Sequence, residues 1–133
     1  MVVSMERRQP KMVIDRWDRV FKAVSAEPRR QLIVALNDTH ADEWVSLPDA
    51  AISPSVATAP EQFHIELQHR HLPLLEEYEY VRWTLEPFRA RRGPYFDDVA
   101  VVFEALHDRA VQLPDRLVYG CRRLEQERQQ NDG

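Results

Sequence analysis

The chain has 133 residues, of which 30% are charged, and its formal net charge is −4. This size and composition are typical of one soluble globular domain, and the negative total argues against a protein that coats nucleic acid through bulk charge. No apolar run approaches the roughly 20 residues that a membrane-spanning helix needs, and the N-terminal residues lack the apolar core of a signal peptide. We therefore expect a cytoplasmic protein that makes no contact with a membrane.

Charge is unevenly distributed along the chain. The balance is +4 over residues 1–30 and +3 over residues 81–95, whereas residues 31–80 carry −8. A basic segment within an acidic chain is typical of a DNA-binding site of modest size.

The first half of the chain is predicted to be mainly helical. Apolar residues recur at helical spacing from Val13 to Val24, and a second stripe contains Leu32, Ile33 and Leu36. Residues 1–12, which precede the first stripe, are assigned to a flexible N-terminal arm. Residues 43–47 fit a short strand, and the proline-rich stretch Ser53–Pro60 fits a loop.

A long amphipathic helix is predicted from Pro60 onward. On a helical wheel, His64 and His71 fall on the apolar side, while the polar side is centred between His69 and Pro73. Pro73 removes one backbone donor and clashes with the preceding turn, so we expect a kink or break there.

Glu76 and Glu77 follow the proline on the polar side of this helix, where they would repel phosphate groups. Any contact with DNA is therefore expected from the first half of the helix.

A β-hairpin is predicted after the long helix. The runs Val81–Leu85 and Phe88–Arg91 are rich in β-branched or aromatic residues and are joined by Glu86-Pro87. Two further helical segments follow Gly93-Pro94, and residues 128–133 are predicted to be a disordered tail.

The order of these elements (helix, helix, short strand, helix, long helix, hairpin, helix) is that of a winged helix-turn-helix domain. The sequence EPRRQLIVAL at residues 27–36 resembles the second helix of the ArsR-like regulators, and RHLPLLEEYEYV at residues 70–81 resembles the end of their recognition helix. The pattern L-x-H-x-H-L-P-x-L, which begins at Leu67, is similar to a winged-helix group common in haloarchaea. The resemblance implies a mainly α fold with a small β-hairpin, in which residues 13–95 form the winged helix-turn-helix domain.

Two positions depart from the ArsR-like pattern. Glu79 stands where the family usually has glycine before the wing, so we expect that turn to be built differently. The metal-sensing members use paired cysteines, whereas this chain contains only Cys121, which argues against metal sensing through thiolates.

The helices at the two ends of the chain are predicted to form a homodimer. Their apolar stripes are wider than one compact winged-helix core can bury, and residues 96–127 are assigned to C-terminal helices for dimerisation. Cys121 is interpreted as a small apolar residue, and Trp44 as a core or interface anchor. The predicted interface residues are Val13, Trp17, Val20, Val102, Leu106, Leu117, Cys121 and Leu124.

The predicted DNA-binding surface combines the polar side of the long helix with arginines placed at the hairpin tip. Glutamine and arginine bind base edges, and arginine also binds phosphate. A solvated helix face with protective edge-strand arginines explains the same residues, and Glu66 weakens the DNA interpretation. The predicted DNA-binding residues are Gln62, Glu66, His69, Arg70, Arg82, Arg89, Arg91 and Arg92.

The sequence thus predicts a transcription regulator that binds double-stranded DNA as a homodimer at an inverted repeat. The alternative is a winged-helix interaction module that binds another regulator instead of DNA, and the acidic balance of residues 31–80 favours it. A repressor that senses an unidentified effector is a third option. No phosphate-binding loop, nucleophile motif or metal-ligand spacing is present, so we expect no enzyme, cofactor or metal site. His64, His69 and His71 are interpreted as packed side chains in preference to zinc ligands.

Overall fold

The computed structural model describes residues 2–53, 59–119 and 121–132. This part of the chain is mainly helical and contains one three-stranded antiparallel sheet, to which the predicted hairpin contributes two strands and the short strand predicted at residues 43–47 the third. The main elements are α1 (Val2–Ala23), α2 (Glu27–Asn37), β1 (Val45–Ser46), α3 (Pro60–Glu66), α4 (Leu72–Glu77), β2 (Val81–Leu85), β3 (Phe88–Arg92), α5 (Phe96–Asp108), α6 (Asp115–Val118) and α7 (Arg122–Asp132). Short 3₁₀ helices lie at Asp49–Ala51 and Ala110–Gln112.

Helix α1 begins at Val2, so the predicted flexible arm over residues 1–12 is wrong for residues 2–12. Met5, Glu6 and the arginines beside them have high helix propensity and extend the helix ahead of its apolar stripe. Pro10 lies inside α1 without ending it. The helix therefore starts well before the first apolar residue that packs on the core.

The hydrophobic core lies between α1, α2, the long helix (residues 60–77), α5 and one face of the sheet. Each fully buried aliphatic or aromatic side chain stabilises the fold by roughly 1.5–3 kcal/mol relative to an exposed one. The largest fully buried side chains are Leu32, Ile33, Leu36, Leu67, Leu72, Leu75, Val81, Phe96, Val99 and Val118. The apolar stripes of α2 and of the long helix thus face inward as predicted.

The sheet has strand order β1-β3-β2, and a two-residue turn at Glu86-Pro87, with a cis peptide bond, connects β2 to β3. The hairpin register pairs Trp83 with Ala90, and β1 adds Val45 opposite Ala90. Because side chains alternate along a strand, these three residues share the inner face of the sheet, where Ala90 is completely buried.

The long helix is continuous, but its middle is π-helical over Leu67–His71. The backbone N–H of Leu72 donates to Leu67 O, which is five residues back instead of four. Pro73 cannot donate to the carbonyl of His69, and its ring needs space in the preceding turn. The predicted disturbance at Pro73 therefore takes the form of one widened turn, after which α4 continues to Glu77.

The turn between α4 and β2 places Glu79 at φ 62°, in the left-handed region that glycine adopts without strain. Glutamate itself takes up the glycine-like backbone at this turn. Gly93 lies against it: a Cβ atom at Gly93 would come within 2.5 Å of Glu79 O. The Gly93 N–H donates to Tyr80 O and the Tyr95 N–H donates to Glu79 O. These two backbone hydrogen bonds join the two ends of the hairpin.

The predicted disordered tail over residues 128–133 is wrong for residues 128–132, because α7 extends to Asp132. Arg128 anchors this helix by donating to Ala110 O and Leu113 O and by pairing with Asp115 at 2.7 Å. The segment has no apolar stripe, so no local pattern indicated that an arginine fixes it to the preceding turn.

Candidate nucleic-acid interface

The first half of the long helix presents a small polar surface to solvent. Gln62, His69 and Arg70 are exposed, whereas Glu66 is half-buried. The amide of Gln62 donates to Glu66 Oε1 at 3.4 Å, a long contact that a stronger ligand can replace. Ile65 is 57% exposed on the same stretch and was not predicted as a site residue.

A buried arginine contacts the middle of the long helix on its buried side. Arg29 donates from Nε to Ala23 O and from a terminal nitrogen to Lys22 O, both at 2.9 Å, so it caps the end of α1. Its other terminal nitrogen donates to His71 Nδ1 at 2.7 Å. His71 therefore accepts at Nδ1 and is neutral, while its neighbours His69 and Arg70 lie outside.

Burial, followed by the positive charge of Arg29, lowers the pKa of His71 to about 4. Burial also lowers the pKa of Arg29, which nevertheless stays protonated at neutral pH. The prediction that His71 is packed inside is confirmed. The role of Arg29 was missed, although Arg29 precedes Leu32, Ile33 and Leu36 at helical spacing and so shares their buried face.

The long helix and the hairpin contact each other near the hairpin turn. The ring of His64 packs against Phe88 with centroids 4.4 Å apart and the two ring planes tilted by 34°, and Phe88 follows the turn directly. The N-terminal half of the helix and the tip of the hairpin are thus neighbours. His64 is half-buried, in agreement with its predicted position on the apolar side.

Three arginines lie on the outer face of the sheet, the face opposite to the helices. Arg82 pairs directly with Arg91, and Arg89 lies two residues before Arg91 in β3, on the same face. The guanidinium of Arg89 is 4.1 Å and that of Arg91 is 5.1 Å from the centroid of Trp44. We refer to Arg82, Arg89, Arg91 and Trp44 as the outer arginine face.

Trp44 was predicted to be a core or interface anchor, but it packs against two guanidinium groups instead. Such stacking fixes the plane of each guanidinium while leaving its terminal nitrogens able to bind an anion. The Nε atoms of Arg89 and Arg91 are enclosed and have no hydrogen-bond partner among the described residues. The signal in the sequence was the alternation Arg89-x-Arg91, which places both on one side of a strand.

Arg92 differs from the other three because it belongs to the inner face. It donates from Nε to Leu36 O at 3.1 Å and from a terminal nitrogen to Thr39 O at 2.6 Å, so it caps the end of α2. Its guanidinium also lies 5.0 Å from the ring centroid of Phe96. The hairpin tip is at Glu86-Pro87, so the predicted position of the arginines at the tip is wrong, and Arg92 is occupied inside the fold.

The residues predicted to form a dimer interface divide into three groups. Val13, Trp17, Leu106 and Leu117 are exposed apolar side chains, whereas Val102, Cys121 and Leu124 are half-buried. Val20 is only 4% exposed and belongs to the hydrophobic core of the single chain.

An exposed aromatic pair extends this surface on α1. Trp17 stacks on Phe21 with ring centroids 5.8 Å apart, and Phe21 is 59% exposed. Trp17 also borders a cleft of about 250 Å³ between α1 and α5 that contains Val102.

Among the described residues, no group of three or more His, Cys, Asp or Glu side chains is arranged to hold a metal ion. None of the helices in this part of the chain combines the length and apolar character required to cross a lipid bilayer. No protein-family model, curated protein or solved structure matches the chain.

Proposed function

We propose that this chain is a winged helix-turn-helix transcription regulator that binds double-stranded DNA as a homodimer. The observation that carries the proposal is the long helix packed beside a β-hairpin, with Gln62, His69 and Arg70 exposed on its first half. The order of elements supports it, because two helices, a short strand and a 3₁₀ turn precede the long helix and a hairpin follows it. In this arrangement the long helix is the recognition helix and the hairpin is the wing.

The first half of the long helix would lie in a major groove. Arg70 suits guanine and Gln62 suits adenine, while the exposed Ile65 suits the methyl group of thymine. The widened turn before Pro73 and the acidic Glu76 and Glu77 limit the contact to this half.

Arg89 is the hairpin arginine closest to the turn, where it faces Thr84 across the strands. It is therefore the wing residue that we assign to the phosphate backbone. Arg92 is omitted from the surface because its donors bind backbone carbonyls.

The dimer interface is assigned to the exposed apolar face of α1 and the adjoining part of α5. Val13, Ile14, Trp17 and Phe21 lie on one side of α1 and are each at least 44% exposed, a concentration of large apolar side chains that water disfavours. Pairing two copies through this face would place the two recognition helices symmetrically, as an inverted-repeat operator requires.

DNA binding is tested by selecting bound duplexes from a random pool and measuring their affinity in a gel shift against salt. Arg70→Gln is expected to weaken specific binding by roughly 5-fold to 100-fold, because a bidentate base contact contributes about 1–3 kcal/mol. Arg116→Gln changes the charge equally at an exposed position on α6 and should bind as the wild type does. If no duplex binds at low salt, or if affinity is independent of salt, the chain is better described as a protein-interaction module.

The dimer is tested separately by light scattering at micromolar concentration. Trp17→Glu places a charge in the apolar face of α1 and is expected to give a monomer, whereas Val111→Glu, at another exposed apolar position, should not. A wild-type monomer would refute the dimer assignment while leaving DNA binding by a single domain open to the gel shift.

A further inference from the structure

Arg82 and Arg91 form a like-charge pair directly across two strands, an arrangement that destabilises a sheet. Neither guanidinium group takes part in an ion pair or a side-chain hydrogen bond among the described residues. The fold thus places two like charges on directly opposed residues, where they repel each other, in a chain whose net charge is −4. An anion bound between them would relieve this repulsion.

The two guanidinium groups also border one cleft of about 390 Å³ at the base of the hairpin. The segment Gly93-Pro94 forms part of its wall, and Asp42 and Asp97 lie at its rim. Neither carboxylate comes within ion-pairing distance of an arginine in the described part of the chain. The cleft is therefore large enough for a small ligand. Arg92 also lines it but donates to backbone carbonyls, whereas Arg82 and Arg91 have donors available for a ligand.

Stacking on Trp44 holds the guanidinium of Arg91 in a fixed plane, and its Nε is enclosed without a partner in the described residues. Its terminal nitrogens remain as donors. The oriented guanidinium of Arg91 and the exposed guanidinium of Arg82, on directly opposed residues, together offer several donors to the tetrahedral oxygens of a phosphate.

We propose that Arg82 and Arg91 form a phosphate-binding site on the outer face of the sheet. The ligand chemistry is a phosphate or pyrophosphate group held by both guanidinium groups. The site lies on the side of the sheet opposite to the long helix, so phosphate binding there does not require the base contacts proposed for that helix. Its phosphate comes either from a DNA backbone that passes around the hairpin or from a small phosphorylated molecule.

The test is thermal unfolding of the full chain in increasing pyrophosphate or inorganic phosphate, compared with sodium chloride at the same ionic strength. The wild type is expected to show a saturable rise in Tm with pyrophosphate. Arg82→Gln and Arg91→Gln are each expected to raise the pyrophosphate concentration at half-saturation by at least about tenfold, since a hydrogen bond to a charged group contributes roughly 1.5–3 kcal/mol. Arg116→Gln, the charge-matched control, should retain the wild-type response.

Two further readouts separate loss of the site from loss of the fold. Without phosphate, Arg82→Gln should unfold at a temperature equal to or above that of the wild type, because the like-charge pair is gone. Asp42→Asn should tighten pyrophosphate binding by removing a negative charge from the cleft. A rise in Tm that chloride reproduces, or one that both arginine variants retain, overturns the proposal.

Competition with duplex DNA identifies the source of the phosphate. Displacement of the duplex by pyrophosphate, with a salt slope that falls by about 1 in Arg82→Gln, assigns the site to the DNA backbone. Simultaneous binding of both ligands assigns it to a small phosphorylated molecule. Because the pyrophosphate titration needs no duplex, failure to bind DNA and failure to bind phosphate are separate results.

Discussion

Replacement of Arg29 by methionine tests the buried network behind the long helix. The side chain is 3% exposed and donates to Ala23 O, Lys22 O, Ser25 Oγ and His71 Nδ1 at distances from 2.7 to 2.9 Å. All four acceptors are neutral, so the guanidinium joins the end of α1 to the π-helical turn without an ion pair in the described residues. Methionine fills much of the volume but leaves the acceptors without donors.

The expected loss of stability follows from these bonds. Ala23 O and the Nδ1 of His71 lie in the interior, and hydrogen bonds from a charged donor contribute roughly 1.5–3 kcal/mol each. Releasing the guanidinium from burial offsets part of this loss. Arg29→Met should therefore lower the free energy of unfolding by about 2–4 kcal/mol, a large part of the 5–15 kcal/mol typical of a domain.

The neighbouring arginine supplies the matched control. Arg30 is half-exposed, donates to Val24 O and pairs with Glu27 at 2.9 Å, so Arg30→Met should cost about 1 kcal/mol or less. Urea denaturation at pH 7 measures both, with an unchanged m-value as the condition for comparing midpoints. In folded Arg29→Met, the pKa of His71 should also rise, because one of the charges that lower it is removed. Equal losses in the two variants would refute the assigned role of Arg29.

Three further outcomes are expected. Between pH 6.5 and about 4 the folded chain binds fewer protons at His71 than the unfolded chain does. The free energy of unfolding should therefore fall by up to about 3 kcal/mol as the pH falls through this window. His71→Gln should flatten this dependence of stability on pH. Gly93→Ala should lower stability by about 2–4 kcal/mol because its Cβ meets backbone atoms. Glu79→Gly should raise the denaturation midpoint by relieving about 1 kcal/mol of strain in the left-handed backbone. A stability change of the opposite sign in either variant would contradict the turn geometry. Arg128→Gln should accelerate amide hydrogen exchange throughout α7, and protection equal to that of the wild type would show that other contacts hold this helix.

Local patterns predicted the elements that depend on local spacing. The strands Val81–Leu85 and Phe88–Arg92 and the start of α5 at Phe96 match the sequence prediction, apart from one additional residue in β3. Alternation and proline position determine these elements within a few residues, so no distant contact is needed to find them. The inward face of the long helix was equally predictable because its apolar residues repeat every three or four positions.

Contacts between distant residues were not predictable in the same way. The stacking of Arg89 and Arg91 on Trp44 depends on the register between β1 and β3, and no local pattern specifies it. The helical end of the chain depends on Arg128 reaching carbonyls more than a turn away, although its own helix is polar on all sides. A side chain that binds backbone carbonyls leaves no hydrophobic periodicity, and the sequence prediction therefore read this segment as disordered.

The arginines of this chain serve two purposes that their charge does not distinguish. Arg29, Arg92 and Arg128 each donate to carbonyls at the ends of helices or turns, where a planar group with several donors satisfies acceptors that would otherwise be unpaired. The net charge of +3 over residues 81–95 includes Arg92 together with its neighbours, although the donors of Arg92 face inward.

Fewer positively charged side chains are therefore available to a partner than the sequence indicates. On the hairpin it is carried by Arg82, Arg89 and Arg91, which have no anionic partner in the described part of the chain. Phosphate binding to this side should consequently weaken by at least about tenfold on loss of Arg82 or Arg91, and replacement of Arg92 should instead destabilise the fold. A protein with a net charge of −4 can bind an anion here because three guanidinium groups share one face of a sheet, while most acidic residues lie outside the hairpin.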